Sequence, residues 1–590
     1  MPKSGRLATF WILLLSFIVT APGLYLSLED SEIWGITSSR RFLDEISTVS
    51  SAHIKPLFSL IFGTIVHLAP TDWDALFFSR VFTVGLAATG VFCLIRLVTS
   101  TYSSTHQRIA SYALLGLTVA TPVFLLHFTK ARSDTVAVSL CLISLLLISL
   151  SQNKQRIFLL ASTAVLLITP KSIDLVVALA SFTWLTRDAE SNASQRLKQL
   201  TWLLSPMAVL FGLALIFSRE PLIRALTYWL DSYSDSPFTS LTHWSHLISA
   251  ARSGWIATAL LTIGIFSSLY FFFSKARRTT LTLIERAFIC SGLAVALFML
   301  VHSQKYQFFI ASRVPFLLML ALPGWVRLLD STLTKITATR AALAGVAIVM
   351  TSFAFSINRI HREQLFSLDL QKTVHASLLS YLKRSEVSRY WDAIGLFPKQ
   401  NRIFHYPSPG DRTNEDMPDF VESSRPAIVI RTPKMNLLEP YLFVWLQKKY
   451  APISDEIHVR VARLTGDQFS RDCTLKAEEI LKRTAEEGLS GRSYILLVKT
   501  KTNTTWNQIP FRIQKSGNRV ATKLTELTEL TELAELNSET PQALEQAQSQ
   551  RLAFIGCRDA DTQYAVSETG PWKARPVSYN STLFGYDGRL

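Results

Sequence analysis

Apolar residues in this chain come in long unbroken runs, and the runs stop near residue 357. A helix needs about twenty such residues to cross the hydrocarbon core of a bilayer, fewer where the membrane thins. By that measure the sequence predicts about eleven spans. They are Ala8–Leu28, Arg80–Val98, Ala110–Leu126, Thr135–Leu150, Phe158–Thr169, Ile173–Leu185, Trp202–Phe217, Trp255–Phe273, Ala287–Val301, Val314–Leu329 and Ala341–Phe355. The fifth and sixth are short and separated by Pro170. Two longer polar stretches interrupt the series, Glu29–Ser79 and Arg219–Gly254, the second rich in Trp, Tyr, His and Ser. Within the first, Pro56 followed by L-F-S-L-I-F-G-T-I-V (Leu57–Val66) predicts an interfacial helix lying along the membrane.

Charge decides the sidedness. Lys and Arg populate the short loops Thr99–Arg108, Gln152–Arg156, Arg187–Lys198, Lys275–Arg286 and Asp330–Arg340. All five fall on one side only if the fifth and sixth runs are separate spans. The positive-inside rule then makes that side, and the N-terminus, cytoplasmic, with the tail outside. The first run resembles a secretory signal, with Lys3 and Arg6 before it and small residues near Ala21, but it continues to Leu28 and is read as a retained span.

Residues 358–590 have ordinary soluble composition. P-A-I-V-I-R, H-V-R-V-A-R-L, S-Y-I-L-L-V-K and R-L-A-F-I-G read as strands, and E-P-Y-L-F-V-W-L-Q-K-K-Y as a helix between them, which predicts a small α/β domain. The repeat Leu524–Leu536 is low-complexity, and its leucines drift around a helix without forming a stripe. The expected division is a membrane domain over 1–357 and an extracytoplasmic α/β domain over 358–590.

Composition agrees. The chain has 590 residues, 49% hydrophobic, with mean hydropathy +0.25 and formal charge +16. An excess of cations placed in loops between spans fits membrane lipids and lipid phosphates, not nucleic acid. Cys93, Cys141 and Cys290 lie in apolar runs and read as packing residues, whereas Cys473 and Cys557 lie in the tail and can pair outside the cytoplasm. No Cys/His spacing marks a structural zinc site.

Ionisable residues gather at one set of span ends: Glu29, Asp30 and Glu32; His53 and Lys55; the loop H-F-T-K-A-R-S-D (His127–Asp134); and H-S-Q-K-Y-Q-F-F-I-A-S-R (His302–Arg313). Singly these are ordinary: Asp134 as a helix start favoured by the helix dipole, the cations as headgroup anchors, the histidines as structural residues. Together they resemble the GT-C membrane glycosyltransferases, in particular the protein O-mannosyltransferase and aminoarabinose transferase branch (families 39 and 83). That family has one span, then an outer loop with an acid followed four residues later by an aromatic, here D-S-E-I-W (Asp30–Trp34). A Lys-Pro-Pro-Leu motif follows, here K-P-L (Lys55–Leu57), then an Arg-x-Asp loop, here R-S-D (Arg132–Asp134), then a Lys/Tyr-rich stretch before a Pro-containing span, here K-Y-Q-F-F-I-A-S-R-V-P. Ser31 stands where the family has Glu, and one proline of the second motif is absent.

The resemblance implies a GT-C fold and transfer of a sugar from a polyprenyl-phosphate donor, with inversion, to a protein, lipid or glycan acceptor of the cell envelope. The expected setting is a bacterial inner membrane with the tail periplasmic. It implies Asp30 as general base, and Lys55, Arg132 and Lys305 on the donor phosphate. Asp134 would orient the acceptor or join Asp30 around a divalent cation, with Glu29, Glu32, His53, Trp34, Tyr306 and Arg313 as accessory residues. The stretch 219–254 would cover the site and the tail would meet the acceptor. The alternatives are a lipid or solute transporter (a flippase included) and a non-catalytic assembly protein of the same fold.

Overall fold

A computed structural model describes residues 3–26, 28–44, 55–169, 172–186, 241–274, 277–301, 307–333, 335 and 337–363, with short pieces and eight strands beyond residue 367. The chain divides into two units, Met1–Ser367 with Gly588–Leu590, and Leu368–Asp587.

The first unit is helical. Its described helices are α1 (Lys3–Thr20), α2 (Asp30–Asp44), α3 (Pro56–Leu68), α4 (Asp72–Thr101), α5 (Thr105–Val119), α6 (Pro122–His127), α7 (Ser133–Leu150), α8 (Lys154–Ile168), α9 (Ile173–Leu185), α10 (Leu241–Ser253), α11 (Trp255–Phe273), α12 (Leu283–Val301), α13 (Gln307–Leu333) and α14 (Ala338–Glu363). Among the described residues six are long and apolar enough to cross a membrane: α4, α7, α11, α12, α13 and α14. The protein is a multi-pass membrane chain. α9 is a shorter apolar helix of 13 residues, and α8 has 15. The expected span Trp202–Phe217 lies outside the described residues.

Several expected boundaries change: the first run, expected over Ala8–Leu28, is α-helical from Lys3 to Thr20 and then a 3-10 turn to Leu24, and the run expected to begin at Val314 begins at Gln307. The run Ala110–Leu126 is not one helix: α5 ends at Val119, and Pro122 opens α6. A proline has no N–H to donate and is tolerated at the first helical position, so the chain restarts there. The span expected to begin at Arg80 begins at Asp72 instead, capped by the Thr71 side chain, which accepts from Asp74 N at 3.1 Å. Asp72 and Asp74 favour that start through the helix dipole. Arg80 is therefore buried in the helix interior. The run expected to lie along the membrane forms a helix, α3, with Pro56 as its first residue, and packs on α2.

α13 is the central helix. Its apolar window is 83% buried, against 17% for α11 and 11% for α14. The outward faces of those two carry Phe266, Phe273, Leu343 and Phe355, as a lipid-facing helix does. α11 crosses α13 so closely that a side chain at Gly324 would collide with the Ser268 backbone. Pro323 disturbs the α13 ladder here. Ser268 Oγ accepts from Gly324 N at 2.7 Å and donates to Ala321 O at 3.3 Å, satisfying groups that lipid cannot.

The second unit holds two four-stranded sheets. The first has order β1 (Tyr390–Asp392), β2 (Ile428–Ile430), β4 (Ile457–Arg460), β3 (Tyr450–Pro452), with β1 and β2 parallel. The other is antiparallel, in the order β6 (Asn507–Arg512), β5 (Ser493–Thr500), β8 (Thr562–Glu568), β7 (Ala553–Asp559). Each of the four segments expected to be strands overlaps one. The expected tail helix, except Tyr450 in β3, and the Leu524–Leu536 repeat lie outside the described residues.

Candidate active site

The site grows from a tight turn. α6 ends at His127, and Phe128 stacks on Phe124 with ring centroids 4.3 Å apart. The backbone then doubles back, Arg132 N donating to Lys130 O at 2.7 Å, and α7 starts at Ser133 with Arg132 extended before it. Ala131 N donates to Glu32 Oε1 at 2.9 Å, tying the turn to α2. Arg80 of α4 clasps the same carboxylate through Nε and Nη2, and its Nη1 donates to Gly23 O at 2.7 Å and Leu26 O at 3.3 Å. Both side chains are buried. Glu32 and Arg80 thus lock four segments together: the turn after α1, α2, α4 and the 128–132 turn. Gly23 is required there, because any side chain would collide with the Thr129 hydroxyl.

Glu29 enters from the same side. Lys130 Nζ donates to Glu29 Oε1; His127 Nδ1 lies 3.7 Å from that oxygen and Arg132 Nη1 3.6 Å from Oε2. Burial alone would push this carboxyl up. Lys130, then His127 and Arg132, override it and hold it near about 2. The Arg132 guanidinium carbon stands over the Phe308 ring of α13, 3.3 Å from its centroid.

Lys55, at the cap of α3, donates from Nζ to Ser133 Oγ at 2.8 Å. Asp134 follows in the first turn of α7, and its Oδ1 is 3.5 Å from Arg313 Nη1. Arg313 is fully buried in α13. It donates from Nε and Nη2 to Asp174 Oδ2 and Oδ1, each at 2.9 Å, and from Nη1 to Ser312 Oγ at 2.7 Å.

The residues expected from the sequence therefore sort into groups. Glu29, Glu32, Lys55, Arg132, Asp134 and Arg313 have described contacts in the network around the 128–134 turn. Asp30 is the first residue of α2, directly after Glu29, with Trp34 one turn on. The Asp30 side chain, His53, Lys305, Tyr306, Cys473 and the Cys557 side chain lie outside the described residues. Of the two carboxylates expected around a divalent cation, Asp134 pairs with the Arg313 guanidinium and the Asp30 side chain lies outside the described residues; among the described residues no three His, Cys, Asp or Glu side chains gather to hold a metal. Sequence reasoning missed Asp174 and the role of Arg80. The available signal was an ionisable residue within an apolar run, which needs a buried partner.

No protein-family model matches the chain, and no curated protein matches it by sequence. Among solved structures, the crystal structure of ArnT from Cupriavidus metallidurans bound to undecaprenyl phosphate is similar, with a TM-score of 0.51 at 13% identity. The match covers 79% of this chain and 100% of that one. At that identity the likeness is one of fold alone.

Proposed function

We propose that this protein is an inverting membrane glycosyltransferase that moves a sugar from a polyprenyl-phosphate carrier to an acceptor. One observation carries the proposal. Arg132 reaches Glu29, the neighbour of Asp30, and the next residue, Ser133, is bonded to Lys55. One turn thus gathers the chain around the candidate base and the candidate phosphate cation. The fold shared with a protein solved with undecaprenyl phosphate supports that carrier.

The cations divide by their work. Arg80 and Lys130 are buried against Glu32 and Glu29, whereas Lys55 and Arg132 keep part of their surface open. The open pair is suited to the lipid phosphate, whose charge grows as it leaves. The carboxylates divide in the same way. Glu29, held near about 2, is too weak a base to take a hydroxyl proton at neutral pH. Asp30 is the candidate that remains in this loop. In the step, an acceptor oxygen bonds to the anomeric carbon and its proton passes to Asp30. The bond from that carbon to the phosphate oxygen breaks, and polyprenyl phosphate leaves with the electron pair. A single displacement inverts the carbon. Asp134 orients the acceptor.

The site end of the bundle faces outward in this proposal, because Lys154, Arg277, Arg278, Arg286 and Arg340 crowd the opposite helix ends. α10, which packs on α13 and α6, belongs to the stretch proposed to cover the site. Residues 358–590 are proposed to meet the acceptor. The test uses the full chain in liposomes with undecaprenyl-phosphate donors carrying mannose, glucose or 4-amino-4-deoxyarabinose. Release of undecaprenyl phosphate with glycosylation of a lipid, glycan or peptide acceptor is expected. Donor flux across the bilayer without release makes the protein a flippase instead, and binding of donor without either makes it an assembly protein.

A further inference from the structure

We propose that Asp174 is a positioning residue for the transfer: through the Arg313 guanidinium it sets the carboxylate of Asp134 at the open end of the bundle. The proposal rests on the transferase reading above and adds a residue to it.

A buried guanidinium is strongly desolvated and takes carboxylate partners wherever packing allows. Asp174 takes Nε and Nη2 of Arg313 in a fork, which fixes the plane of the group. Ser172 Oγ stands 3.4 Å from Nη2, and the guanidinium carbon lies over the Phe309 ring, 4.1 Å from its centroid. With that plane fixed, Nη1 is shared between Ser312 Oγ at 2.7 Å and Asp134 Oδ1 at 3.5 Å. The two carboxylates differ in exposure: the Asp174 side chain is wholly buried, while 14% of the Asp134 side chain is open. The buried acid therefore anchors, and the open one is held. The same helix end places Phe308 under Arg132, so α13 braces both charged residues of the R-S-D turn. A clamp that served only to join α9 to α13 would be complete with Asp174 and Arg313 alone. The third member, Asp134, gives the arrangement its direction toward the site.

The test separates bracing from stability. Asp174→Asn keeps the shape and lowers turnover of the liposome donor panel at least 30-fold, with little change in KM for donor. In Asp174→Leu/Arg313→Met both buried charges go together, an exchange that packed interiors often tolerate. This double variant is expected to fold, by its melting temperature and gel filtration in detergent, yet to stay as slow as Asp134→Asn. Recovery of wild-type turnover by the double variant, or full turnover in Asp174→Asn, makes Asp174 a structural clamp and overturns the proposal. If the wild-type chain neither binds undecaprenyl phosphate nor releases it from any donor, the transferase reading itself falls, and the positioning role with it.

Discussion

The two ends of α13 carry similar residues and do different work. At one end Arg313 pairs with Asp174 and Asp134; at the other, Arg327 pairs with Glu285. The two arginines are about 21 Å apart along the helix at 1.5 Å per residue. Glu285 belongs to a capping box with Thr282: Thr282 N donates to Glu285 Oε2 at 2.8 Å, and Glu285 N to Thr282 Oγ1 at 3.2 Å. Arg327 spends its remaining donors on Pro323 O at 3.3 Å and Thr280 O at 2.8 Å. That pair closes two helix ends. At the other end acids and cations come from the loop after α1 and from α4, α7, α9, α13 and the 128–132 turn, with some of their surface open. A buried ion pair in a membrane helix is therefore not by itself a sign of chemistry. What distinguishes the site end is convergence from distant segments together with cations, Lys55 and Arg132, that keep part of their surface open.

The comparison breaks most sharply at Asp30. Asp30→Asn is expected to lower sugar transfer by about 10²–10⁴-fold, the usual worth of a general base, while undecaprenyl phosphate still binds. Equal turnover in the variant removes Asp30 from that role. Next in size is Arg80→Met, which leaves Glu32 charged and buried and is expected to cost about 3–5 kcal/mol, read as a lowered melting temperature in detergent. Arg80→Met/Glu32→Leu recovers only part of this, because Ala131 N loses its acceptor. Lys55→Ala and Arg132→Ala are each expected to weaken undecaprenyl phosphate binding about 10–100-fold, matching about 1.5–3 kcal/mol for a hydrogen bond to a charged group. At the far end, Arg327→Ala is expected to cost about 1–2 kcal/mol of stability with turnover unchanged, since its carboxylate stays half-served by the cap. A loss of turnover there erases the distinction between the ends.

A separate effect appears in acid. The folded Glu29 carboxyl sits near about 2 against its ordinary 4.5, so it contributes stability that is complete above the ordinary value. That contribution declines as pH falls below about 5 and is gone below about 2. Glu29→Gln should flatten this part of the stability profile; an unchanged profile means that another carboxylate sets it.

Much of the fold was legible in the chain. Runs such as Ser133–Leu150 and Trp255–Phe273 declare helices because hydrocarbon allows no unpaired backbone. Alternating stretches in the tail declared strands. The break at Ala120–Thr121 was harder to see, since Leu114–Leu126 is almost uniformly apolar and Pro122 reads equally well as a kink. Of the site, the R-S-D turn and Lys55 were visible as ionisable residues at span ends. Asp174 was not singled out: at the start of a short apolar helix, one acid looks like a cap. Arg80 reads as the edge of a span because the longest apolar run follows it, whereas the helix starts two turns earlier.

The sequence by itself determined where helices form, which loops carry the cations, and that the acids and bases fall at one set of span ends. Those are properties of neighbouring residues, set by hydrophobicity, proline and charge over a window of about twenty positions. Only the tertiary structure decided which charge meets which. Glu32 with Arg80, Glu29 with Lys130 and Asp174 with Arg313 are separated by 48, 101 and 139 residues. Nothing in a local pattern selects such partners. The close crossings of packed helices select them, because once buried each charge must find an opposite one within reach.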